Sequence, residues 1–172
     1  PMITKQFGSK VNVVNCGVGG HTVRGGCIVL PRSLRTMPKP DLVCMLYGAN
    51  DCKAVTAQSG VGPKAFQAQI EKLIDEVRAG TGGKTDILLI NGAPRLEKKG
   101  RLKSSGAVEK IVNGVKAAAV AKNTAYLDTF NVYLKLDPKK RLKYYRDTIH
   151  QQDAGQRFIG DLMFKEISNK LK

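Results

Sequence analysis

Asp41-Leu42-Val43-Cys44-Met45-Leu46-Tyr47-Gly48-Ala49-Asn50-Asp51 passes from a charged residue through an uncharged apolar run to a glycine and then to polar side chains. A short apolar run bounded by a turn residue reads as a strand covered on both faces, with its chemistry at the C-terminal end. Asp86-Ile87-Leu88-Leu89-Ile90-Asn91 repeats the pattern, and Ala125-Tyr126-Leu127-Asp128 is a weaker version of it. Val11-Asn12-Val13-Val14-Asn15 reads as a strand entering a glycine turn. Between these runs, Phe66, Ile70, Leu73, Ile74 and Val77 recur at helical spacing from Pro63 to Arg78. Val108, Ile111, Val112 and Val115 do the same from Ala107 to Lys122, and Phe158, Ile159, Leu162, Met163 and Ile167 from Ala154 to Leu171. Thr22 to Thr36 also reads as helix, interrupted at Gly25-Gly26 and closed by Pro38-Lys39-Pro40. Strands alternating with amphipathic helices predict an α/β layer fold with a parallel sheet, and 172 residues predict a single domain.

Lys and Arg number 29 against 14 Asp and Glu, a net charge of +15. Such an excess suits an anionic partner, RNA or an acidic substrate, and equally a lysine-rich solvated surface. Arg95, Lys98, Lys99, Arg101 and Lys103 follow Asn91, and Lys135, Lys139, Lys140, Arg141, Lys143 and Arg146 lead into Asp147. Both clusters are expected to rim the face formed by the strands' C-terminal ends. Tyr133, Tyr144 and Tyr145 are the sparse aromatics near the second cluster, a weak hint of base stacking. Cys16, Cys27, Cys44 and Cys52 form no Cys-x-x-Cys pair, so they do not read as a zinc site. Cys44 inside an apolar run and Cys16 beside a glycine turn are expected to be buried thiols in a reducing compartment, which places the chain in the cytosol or mitochondrial matrix. No apolar stretch has the length of a membrane span.

Three motifs carry chemistry. Asn15-Cys16-Gly17-Val18-Gly19-Gly20-His21-Thr22, Gly48-Ala49-Asn50-Asp51 and Asp147-Thr148-Ile149-His150 resemble, in this order, blocks II, III and V of the SGNH (GDSL-type) hydrolases. Leu46 through Cys52, with Lys64-Ala65-Phe66, is most similar to the isoamyl-acetate-hydrolysing esterases. The resemblance implies a three-layer α/β/α flavodoxin-like fold and hydrolysis of carboxylic or acetyl esters by a Ser-His-Asp triad without a cofactor. It assigns His150 as general base, Asp147 as the group that orients it, and Gly20 and Asn50 as oxyanion donors. Asn15, Gly48 and Asp51 support the turns. These roles fit the demands of the reaction, because a serine hydroxyl needs a base within hydrogen-bond reach and the tetrahedral intermediate needs preorganised donors. Each fragment also has a plainer reading: glycines in a strand-to-helix turn, Asn50-Asp51 as a helix cap, His150 on a basic loop. His21 reads as a turn residue.

The departure from the family is the absence of any Gly-Asp-Ser. The resemblance places that motif on a strand ahead of the one at Val11–Asn15, and a strand, turn and helix need roughly 20 residues. Ten residues precede Val11, with Met2, Ile3 and Phe7 expected on a helix remnant. Ser9, Ser104 and Ser105 lack a preceding strand, Cys52 is a remote substitute, and Gly160-Asp161-Leu162 falls on the last amphipathic helix. The first strand is therefore expected from a second polypeptide or a cleaved N-terminal fragment, with or without the serine. Two classes follow: an esterase completed by that piece, or an inactive SGNH-like subunit of a larger assembly, such as an organellar ribosome or membrane complex, that binds RNA or another anionic partner through its basic loops.

Overall fold

The computed structural model describes residues 8–54, 62–96 and 106–170. Two compact units emerge, one from residues 16–93 and 104–130, the other from residues 1–15, 94–103 and 131–172.

The first unit holds the sheet. Strands β1 (Leu42–Tyr47), β2 (Asp86–Asn91) and β3 (Ala125–Leu127) are parallel, in that order. Leu42 stands opposite Asp86 and Tyr47 opposite Asn91, so β1 and β2 end level. Helix α1 (Val23–Thr36) precedes β1, the short α2 (Asp51–Ala54) follows it, α3 (Pro63–Thr81) leads to β2, and α4 (Gly106–Ala121) connects β2 to β3. Every residue of β2 after Asp86 is buried, as its unbroken apolar sequence predicts for a central strand. One core joins Val23 and Leu34 of α1, Met45 of β1, the Phe66-Ile70-Leu73-Ile74-Val77 stripe of α3, Ile87 and Leu89 of β2, and Ile111 and Val115 of α4. The 3.6-residue spacing of these helical positions is what turns one stripe of each helix onto the sheet.

Two sequence expectations fail in this region. Gly25-Gly26 does not interrupt α1. Both lie in its first turn, where Thr22 caps the helix by accepting from the Gly25 amide, and Gly26 gives the Tyr47 ring room that a Cβ would occupy. The thiols of Cys16 and Cys44 are not buried either; both residues are exposed, and none of the four cysteines forms a disulfide. Cys44 and Leu46 alternate with buried Met45 and so face away from the helices packed on it.

The second unit contains a 3-10 turn (Gly8–Lys10) and helices α6 (Pro138–Tyr144) and α7 (Asp153–Lys170), together with all but the first two residues of α5 (Thr129–Leu134). Pro138 at the first position and Asp137, whose carboxylate accepts from the Lys139 amide at 2.8 Å, start α6. Tyr133, Tyr144, Tyr145 and Phe158 pack edge-to-face, with Tyr144 and Phe158 stacked at 4.8 Å. Val11–Asn15 is not a strand. It runs as irregular chain with Val13 and Val14 about half exposed, for the physical reason that no strand among the described residues pairs with it. Met2, Ile3 and Phe7, and Ser104-Ser105, lie outside the described residues. Among the described residues no helix is long and apolar enough to cross a membrane.

Candidate active site

The second unit presents a preformed histidine-carboxylate pair. Asp147 Oδ1 accepts the backbone amides of Ile149 and His150, each at 2.7 Å, which bends the chain so that Oδ2 meets His150 Nδ1 at 2.7 Å. The Asp-x-x-His spacing produces this closure by itself, because the aspartate caps the turn that carries the histidine. The His150 amide first, then its ring and the Ile149 amide, hold the Asp147 carboxyl well below the usual carboxylate range. An ionised Asp147 favours the proton on Nδ1, which leaves an Nε2 lone pair able to accept a proton. The pair is open to solvent, His150 being 62% and Asp147 46% exposed.

The turn is anchored from beneath. Tyr145 and Gln151 form an antiparallel bridge, and the Arg146 amide donates to the His150 carbonyl at 2.8 Å. The Leu96 amide donates to the Thr148 carbonyl at 2.8 Å, and buried Tyr145 donates its hydroxyl to the Pro94 carbonyl at 2.5 Å. Tyr145 escaped the sequence reading because it was grouped with a basic loop; its aromatic neighbours are the signal that marks it as core.

The first unit gathers the other motif residues around the C-terminal end of β1. Gly48 is buried at φ +116°, where a Cβ would stand 2.8 Å from Ile111 Cγ2, so only glycine fits. Asp51, 3% exposed, accepts from the Gly48 amide at 3.1 Å and from the Val23 amide at 3.0 Å. One carboxylate thus ties the end of β1 to the start of α1. Burial pushes its carboxyl pKa up, against the pull of those amides. Asn50 donates one Nδ2 hydrogen to the His21 carbonyl at 3.1 Å, which fixes the amide plane and leaves its second N–H to point elsewhere. Val18 to His21 closes a turn through the His21 amide and the Val18 carbonyl, with Gly20 at φ +78° and open space where a side chain would be. His21 is the turn residue that the sequence suggests. Asn15 is exposed and belongs to the other unit.

Asn91, fully buried at the end of β2, also went unread. Its Oδ1 accepts from the Thr129 hydroxyl and the Phe130 amide, and its Nδ2 donates to the Tyr126 hydroxyl and Asp128. An asparagine closing an otherwise apolar strand is the sequence signal for such a hub.

The basic rim needs one correction. Arg141 is buried, its guanidinium donating to the Leu136 and Leu134 carbonyls, because α6 packs that face inward. Lys139 and Lys140 are exposed and Arg95 is half-buried, whereas Lys98, Lys99, Arg101 and Lys103 lie outside the described residues. Tyr133 and Tyr145 are buried among other rings and offer no stacking face.

Residues 2–158 match the GDSL-like lipase/acylhydrolase family. The chain belongs to that family. Its fold is similar to that of a lipase/acylhydrolase from Enterococcus faecalis, at 20% identity with a TM-score of 0.78, covering 98% of this chain and 82% of that one. An acetyl xylan esterase is similar at 19% identity and TM-score 0.79, over 95% and 85% of the two chains. The acetylxylan esterase of Geobacillus stearothermophilus follows at 22% and 0.70, over 90% and 71%. Catalytic mutants of that Geobacillus enzyme replace a serine or an aspartate by alanine. A search of curated proteins finds no match to this chain.

Proposed function

We propose that this chain bears the base of a serine ester hydrolase, His150 with Asp147 acting on a serine carried by a strand outside these 172 residues. The observation that carries the reading is the 2.7 Å contact of Asp147 with His150 Nδ1, in a family member whose own sequence has no Gly-Asp-Ser. In the reaction, the serine hydroxyl attacks the ester carbonyl while its proton passes to Nε2 of His150, and Asp147 stabilises the imidazolium. The family resemblance assigns stabilisation of the oxyanion to the Gly20 amide and the second N–H of Asn50, each worth about 3 kcal/mol of barrier. Collapse expels the alcohol, which takes the proton from His150, and water then releases the acid by the same route.

Support for an added strand comes from β1. Leu42–Tyr47 is uncharged, has no proline, and pairs on one side only among the described residues. Natural edge strands are normally guarded by charge, proline or a bulge, so this one has the composition of an interior strand. The acetylxylan esterases among the similar structures support small acetyl esters as the substrate range.

The test is intact-mass analysis of protein purified from its source, followed by 4-nitrophenyl acetate hydrolysis. A co-purifying peptide with Gly-Asp-Ser, and activity lost in His150→Ala, are expected. Full activity in His150→Ala refutes the assignment; a companion strand without a serine, in inactive protein, supports a subunit role instead.

A further inference from the structure

The segment around the dyad is strongly cationic and its charges are not consumed locally. From Lys135 to Arg157 there are seven Lys and Arg against three Asp, a local balance of 7 − 3 = +4. Asp147 is occupied by His150 and by two amides of its own turn, and Arg141 is turned into the core. Lys139, Lys140, Lys143 and Arg146 remain exposed, and none of the four makes an ion pair among the described residues.

Backbone hydrogen bonds place two of these cations beside the dyad. The Arg146 amide donates to the His150 carbonyl at 2.8 Å. Gln152, two residues beyond His150, donates its amide to the Tyr144 carbonyl at 3.0 Å and its side chain to the Lys143 carbonyl. Lys143 and Arg146 are therefore tied to the stretch of chain that carries His150, and the Tyr145–Gln151 bridge sets Arg146 opposite His150 itself.

We infer that the ester taken by this dyad is itself anionic, carrying a carboxylate or phosphate that Lys143 and Arg146 hold while Lys139 and Lys140 add to the field. This rests on the hydrolase reading above. Nucleic acid is the weaker candidate, because the nearby rings of Tyr133 and Tyr145 are buried in an aromatic cluster, so the patch has charge without a stacking platform. Arginine and lysine together on an exposed rim act mainly by steering and weak capture, an effect that salt removes.

The experiment follows the His150 ring signals by NMR in the full chain during titration with monomethyl succinate, an anion, and methyl butyrate, its neutral counterpart. Two unit charges taken at ~10 Å in water predict about fourfold tighter binding of the anion at low salt, falling toward parity at 0.5 M salt. Lys143→Glu with Arg146→Glu, both at exposed positions that should tolerate exchange, is expected to abolish the preference. Equal binding of the two esters, or a preference untouched by the charge reversal, overturns the inference. So does a single-stranded RNA decamer that binds more tightly than the monoester and is released by the same two changes. Hydrolysis in the completed protein separates the two readings. If the anion binds as expected but neither ester is cleaved, the anion site stands and the hydrolase reading falls; if 4-nitrophenyl valerate is cleaved as fast as 4-nitrophenyl hemisuccinate, the reverse holds.

Discussion

Asp51→Ala tests whether one carboxylate assembles the β1 end of the site. The side chain is buried and accepts from the Val23 amide at 3.0 Å and the Gly48 amide at 3.1 Å. Hydrogen bonds to a charged acceptor contribute about 1.5–3 kcal/mol each, so their loss costs roughly 3–6 kcal/mol. Burial of the carboxylate offsets part of this, since it raises the pKa of Asp51 and marks a desolvation cost that alanine removes. The net expectation is a loss of about 3–4 kcal/mol, a large share of the 5–15 kcal/mol that holds an ordinary domain together. In urea, at about 2 kcal/mol per molar, the midpoint should fall by roughly 1.5–2 M. Hydrogen exchange should show the Val23 and Gly48 amides losing protection first. Asp51→Asn, which keeps one acceptor oxygen, should lose about half as much. A fall below about 1 kcal/mol, or unchanged protection at those two amides, would refute the idea that Asp51 ties β1 to α1.

Gly48→Ala should destabilise the fold by about 1–3 kcal/mol in urea denaturation, because its φ of +116° and the approach of Ile111 both exclude a Cβ. Gly83→Ala, at φ +75° with open space around it, should cost only about 1 kcal/mol. Carbon-detected NMR titration of Asp147 should give a midpoint below the ordinary 3.9. Because the folded value is depressed, the stabilisation is complete above the unfolded value and disappears as pH falls through the folded one. In His150→Ala the midpoint should rise only part of the way, since the amides of residues 149 and 150 still donate; a return to 3.9 would contradict the dominance of the backbone bonds. Tyr145→Phe removes the hydroxyl bond to Pro94 and should cost about 1–2 kcal/mol, with faster exchange at the Leu96 amide and broadened His150 ring signals as its signature.

What could be read from the residues follows their physics. β2 announces itself because five successive residues after Asp86 are buried, and α3 because its stripe keeps one helical period. The Asp147–His150 geometry is legible because it is closed within four residues by local hydrogen bonds. Val11–Asn15 shows the opposite case. Its β-branched alternation is right for a strand, yet strand structure requires a neighbour, and none of the described residues provides one. Helix α6 was missed because seven lysine-rich residues give too short a periodic signal, and the inward turn of Arg141 depends on carbonyls that only the folded chain brings together. Asn91 and Tyr145 act through partners 35 to 51 residues away, a separation that no local pattern reports.

The side of β1 that no strand among the described residues pairs also bears on how this protein behaves at the bench. Six uncharged residues with half-exposed Leu46 and exposed Cys44 form a template that any extended chain can extend, including another copy of itself. Produced as these 172 residues alone, the polypeptide should polymerise as its concentration rises, and a lysine or proline grafted into Leu42–Tyr47 should keep it in solution.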